Sequence, residues 1–71
     1  MPDAVKIGQS WATWVPGRRQ WLLASVIGQD SGLATLKYDT RYEIAEGDDE
    51  RTVDESTLLT EPSLFRFVPA G

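Results

Sequence analysis

The feature that most constrains this chain is its rhythm of short β-type runs. Segments rich in β-branched and aromatic residues recur at intervals of about ten residues, each closed by a glycine, proline or aspartate signal. No stretch carries the apolar period of roughly 3.6 residues that marks a helix. Residues 6–15 form the first predicted strand, with Gly8 punctuating its start. Pro16-Gly17 predicts a turn, because proline presets φ and glycine accepts positive φ. The second strand covers residues 20–29 and is almost continuously apolar, and Asp30-Ser31-Gly32 closes it as a hairpin turn. The third covers residues 33–44 and alternates. Ala34, Leu36 and Tyr38 share one face, Thr35, Lys37 and Asp39 the other, and Tyr42 and Ile44 keep the parity of Tyr38.

The acidic residues 46–50 read as a loop containing Gly47, and residues 51–54 as a fourth short strand. Ser56-Thr57-Leu58-Leu59 predicts one turn of 3₁₀ helix, capped by Asp54 or Ser56 and stopped by Pro62. Residues 64–68 form a fifth strand, and residues 1–5 and 69–71 read as loose ends. Five short strands with no linker, repeat or low-complexity tract predict one all-β domain over residues 1–71, a small five-stranded barrel occupying about 6–68.

A chain of 71 residues buries only about 60% of the surface its unfolded form exposes, so the core is thin. With no cysteine it has no disulfide, and dense packing of its three tryptophans, two tyrosines and two phenylalanines is the expected substitute. The absence of histidine removes the commonest general base and metal ligand. Ser10, Ser25, Ser31, Ser56 and Ser63 then lack an activating partner, and Asp48, Asp49, Glu50 and Asp54 lack the glycine and terminal glutamate of a calcium loop. The expectation is a protein without catalysis, metal or cofactor.

A formal charge of −4 and a pI near 4.5 argue against a nucleic-acid surface. Arg18 and Arg19 lie in the first half, whereas Glu46, Asp48, Asp49, Glu50, Asp54 and Glu55 crowd the second. That crowd reads either as a solvated loop or as an acidic rim for a cationic partner. No apolar run reaches the ~20 residues of a membrane span, and the first residues lack the basic and apolar regions of a signal peptide, so a cytoplasmic location is expected.

The run Ile7-Gly8-Gln9-Ser10-Trp11-Ala12-Thr13-Trp14, the strand Leu22-Leu23-Ala24-Ser25-Val26, the strand end Leu36-Lys37-Tyr38-Asp39 and the closing Ser56-Thr57-Leu58-Leu59-Thr60-Glu61-Pro62 together resemble a Tudor domain. The resemblance implies an SH3-like barrel with a one-turn helix before its last strand. It also implies an open aromatic cage for a methylated lysine or arginine, whose weakly hydrated charge can exchange water for π faces. Carried over by position, the cage walls are Trp14, Tyr38 and Tyr42, with Glu43 or Asp39 as the polar neighbour. The second-strand wall falls on Leu22, and Trp21 takes that place only if the register slips by one residue.

The first two strands are apolar on both faces. If Ala12, Leu22, Ala24 and Val26 fill the barrel, then Trp11, Trp21, Leu23 and Ile27 point outward as a stripe large for a soluble monomer. Either residues 64–68 fold back over it, or it is an interface anchored by tryptophans. The expected function is a protein-interaction module that binds a peptide or protein through rim aromatics, as a monomer or weak homodimer. An adaptor that self-associates through the outward face is the alternative. A nucleic-acid-associated barrel ranks third, since it needs a basic patch from Arg18 and Arg19 with Lys37 or Arg41.

Overall fold

The computed structural model describes residues 2–39 and 49–69. Strands β1 (Ser10–Val15), β2 (Gln20–Asp30), β3 (Leu33–Tyr38), β4 (Glu50–Asp54) and β5 (Phe65–Val68) form one antiparallel sheet in the order β4-β3-β2-β1-β5, with helix α1 (Glu55–Thr60) between β4 and β5. β2 is the spine. Its first half pairs with β1 and its second half with β3, with a bulge between Val26 and Gly28 where the register shifts. A bulge bends its strand and adds twist. The two edge strands approach each other, since the Arg51 guanidinium of β4 lies 5.4 Å from the ring centroid of Phe65 in β5. Helix α1 touches both. The result is a small, barrel-like all-β fold.

The turns follow from local chemistry. Ser31 and Gly32 have φ of 51° and 80°, the two positive values of a type I′ turn, whose twist matches that of the flanking strands. Asp30 therefore pairs directly with Leu33. The β1–β2 connection differs from expectation. Arg18 N donates to Val15 O (3.1 Å) and Arg19 N to Pro16 O (3.2 Å), two overlapping turns in which Pro16 takes the position its fixed φ suits. The left-handed exit falls on Arg19 (φ 51°) rather than Gly17, because the chain reverses into β2 only after the second turn closes.

The N-terminal residues are not a loose tail. Gln9 N donates to Lys6 O (3.2 Å), and Gly8 sits at the third position of that turn with φ 97°, a conformation that favours glycine. The turn delays the first strand to Ser10. Val5 is only 4% exposed and belongs to the core, and its carbonyl accepts from Gln29 Nε2. Gln9 ties the segment down, donating from Nε2 to Ala4 O (3.1 Å) and accepting at Oε1 from Lys6 N (3.0 Å).

The predicted 3₁₀ turn is a six-residue α-helix. Asp54 holds the cap position without a side-chain cap hydrogen bond, and the helix closes with Glu61 N donating to Thr57 O (3.0 Å), just before Pro62. Its buried residue, Leu58, enters the core from the helix side.

The core comprises Val5, Trp11, Leu22, Ala24, Val26, Ala34, Leu36, Tyr38, Leu58 and Phe65. The alternation predicted for β3 and the inward set Leu22, Ala24 and Val26 hold. The parity of β1 does not. Trp11 is 0% exposed and Thr13 is buried beside it, while Ala12 turns to the outer face. A one-residue shift of parity exchanges every side chain between faces. Either parity would bury one indole, Trp11 or Trp14, and full burial of Trp11 is worth several kcal/mol, on the order of 25 cal/mol per Å². Two features make that burial possible. Trp11 Nε1 donates to Gln9 Oε1 (3.3 Å), and the Trp11 ring meets Phe67 edge-on at 5.5 Å. Thr13 is satisfied likewise, its hydroxyl donating to Leu22 O (3.3 Å). Trp11 is thus withdrawn from the outward stripe.

Candidate functional site: the outer face of the first hairpin

With Trp11, Thr13, Leu22 and Ala24 turned inward, the alternate residues of β1 and β2 form the outer face. The register places Ala12 opposite Leu23 and Trp14 opposite Trp21. The indoles of Trp14 and Trp21 lie 5.6 Å apart at 59°, a tilted cross-strand pair. β5 lies beside β1 rather than over this face, pairing Ala12 with Arg66. Phe65 and Phe67 face inward, so Arg66 alone between them reaches the outer face. Its guanidinium carbon stands 4.6 Å from the Trp21 ring centroid, and its Nε donates to Pro62 O (3.3 Å). Trp14, Trp21 and Arg66 therefore form a continuous row.

Further along β2 the face becomes aliphatic. Leu23 is half-buried and Ile27, at the bulge, is 45% exposed. Together with Ser25, Lys37, Tyr38 and Asp39 they line a shallow recess of about 370 Å³. Asp39 closes its side through its backbone, Asp39 N donating to Leu23 O (2.9 Å).

The charges are segregated. Between Asp3 and Asp30 the sequence has Lys6, Arg18 and Arg19 but no carboxylate. Among the described residues the carboxylates are Asp3, Asp30, Asp39 at the edge of the recess, Asp49, Glu50, Asp54 and Glu55 on β4 and α1 with their flanks, and Glu61. The strands that carry Trp14 and Trp21 thus hold no carboxylate before Asp30. No group of His, Cys, Asp and Glu among the described residues is placed to hold a metal ion. No helix among them is long and apolar enough to cross a membrane.

The residues singled out from sequence are distributed as follows. Trp14 and Trp21 come together without any register slip, because their own rung of the ladder pairs them. Tyr38 is parted from them: the alternation of β3 turns it into the core, where it is 8% exposed. Asp39 and Leu23 border the recess with Ile27. Tyr42 and Glu43 lie outside the described residues, as does Arg41. Arg66 was missed. The signal for it was the alternation Phe65-Arg66-Phe67, which isolates one cation on the face opposite two phenylalanines.

Compared with protein-family models, curated proteins and solved structures, the chain matches none of them.

Proposed function

We propose that this chain is a non-enzymatic interaction module, a small SH3-like or Tudor-like barrel that binds a peptide or protein segment on the outer face of its first hairpin. The observation that carries the reading is the Trp14–Trp21 pair, set side by side at 5.6 Å on the face the core does not use. Paired indoles beside aliphatic surface are the composition of binding hot spots. Five short strands with one helical turn before the last are the layout that the Tudor resemblance implies.

A methylated cation is the ligand that resemblance would name. On this face it meets competition, because the Trp21 ring already carries Arg66 at 4.6 Å. Titrating ¹⁵N-labelled protein with a peptide panel that includes methyl-lysine and methyl-arginine forms tests the module reading directly. The expected result is that binding peptides move the Trp14 and Trp21 indole resonances, and that Trp14→Ala abolishes binding while the domain stays folded. A peptide that binds with both indoles unmoved refutes the site. Self-association is the second reading, favoured by the exposure of Ile27 beside Leu23. A concentration-independent monomer in sedimentation removes it.

A further inference from the structure

We infer that the outer face of the β1–β2 hairpin takes an acidic peptide segment that carries an apolar side chain, an inference that rests on the binding role proposed above for Trp14 and Trp21. Arg66 is the first reason. Its guanidinium carbon lies over the Trp21 ring at 4.6 Å, and its Nε donates to the Pro62 carbonyl. These contacts engage the guanidinium carbon and Nε, and the η N–H groups are the part of the fork that matches a carboxylate. Because that fork is fixed before any partner arrives, little side-chain entropy is lost when a carboxylate docks.

The second reason is charge placement. The rung Val15↔Gln20 follows Trp14↔Trp21, and the loop beyond it holds Arg18 and Arg19. Arg66 stands on Trp21, and Arg18 and Arg19 follow the indole rung in a stretch of the chain that has no carboxylate from residue 4 to residue 29. Arg66 and the arginines of the adjoining loop orient an anionic group toward the indole end of this face, while Asp39 borders the far recess, which is left to the apolar side chain. A cationic segment finds Arg66 in its way.

The third reason separates a peptide from a polyphosphate. From Trp21 to Ile27 the outer face runs about 20 Å, at about 3.3 Å per residue, the span of about six extended residues. Its far half is the aliphatic recess between Leu23 and Ile27. A peptide can set a carboxylate against Arg66 and an apolar side chain in that recess. A nucleic-acid strand could satisfy the arginines and stack on Trp14, but it would leave the aliphatic half without a partner.

The probe is a short fluorescein-labelled peptide of alternating Glu and Leu, compared with the same peptide carrying Lys for Glu and with single-stranded oligo-dT. Anisotropy and the two indole resonances are followed together. The expected result is that the Glu/Leu peptide binds, moves both indoles and weakens as salt rises. Arg66→Gln should lower its affinity about tenfold, as loss of a charge-assisted bond does. Arg19→Glu, a loop change remote from the core, should lower it independently, which guards against Arg66→Gln acting through the fold. If the Lys/Leu peptide moves the indoles instead, the acidic partner is overturned and the binding face survives. If oligo-dT binds more tightly than the Glu/Leu peptide, the inference is overturned in favour of nucleic acid. If no probe moves either indole, both this inference and the binding face are overturned.

Discussion

Truncating Trp11 and Trp14 separately to alanine measures the parity of β1, on which the candidate site depends. Aromatic side chains bury about 150–250 Å², and losing about 200 Å² at about 25 cal/mol per Å² removes roughly 5 kcal/mol. The unfolded chain is itself partly compact, which brings the figure toward the about 3–5 kcal/mol typical of such truncations. Trp11 is fully buried and also contributes its edge-on contact with Phe67, worth about 1 kcal/mol beyond area. A 71-residue domain has a total stability of about 4–11 kcal/mol. Trp11→Ala should therefore leave the protein marginal or unfolded at 25 °C, about room temperature for such magnitudes. Trp14 is half-buried and loses mainly its pairing with Trp21, so Trp14→Ala should cost about 1–2 kcal/mol. Trp11→Phe keeps a ring against Phe67 and should cost less than Trp11→Ala. Urea denaturation followed by far-UV circular dichroism compares the variants with the parent. If Trp14→Ala proves as costly as Trp11→Ala, the inward placement of Trp11 is wrong and the outer face must be redrawn.

Two further outcomes probe the turns and the N-terminal anchor. Gly32 has φ 80° in the type I′ turn, so Gly32→Ala should destabilise by about 1 kcal/mol or more, whereas Ser31→Asn should be neutral or stabilising by a few tenths, roughly. Chemical denaturation reads both, and a harmless Gly32→Ala would exclude that turn type. Gln9→Ala removes the acceptor of the buried Trp11 indole and the donor to Ala4, so about 1–3 kcal/mol should be lost and amide exchange of Lys6 should accelerate. Unchanged exchange would mean that Gln9 does not hold the segment.

Much of the fold is legible because its signals are local. The alternation of Ala34, Leu36 and Tyr38 has a single solution, since the other face of β3 holds Thr35 and Lys37. Asp30-Ser31-Gly32 carries the chemistry of its own turn. The site is less legible. In β1 both parities present an aromatic, Trp11 on one and Trp14 on the other, so a two-residue period cannot choose between them. The loop before β2 misled for a similar reason, because Gly17 could accept a positive φ but the geometry of two successive turns places it at Arg19.

The amino-acid sequence by itself determined the all-β class, the number of strands and their places along the chain, and the inward set of β2 and β3, because propensity, turn residues and alternation act within a few neighbours. Only the tertiary structure decided which tryptophan is core and which is surface. That choice depends on a strand distant in the chain, since Phe65 and Phe67 of β5 register against Thr13 and Trp11, while Gln9, two residues away, supplies the indole acceptor. The same pairing brings Arg66 onto Trp21, although 45 positions separate them in a sequence of 71 residues. A contact made across paired strands is set by register. Register is decided by the free energy of the whole sheet rather than by either residue's neighbours.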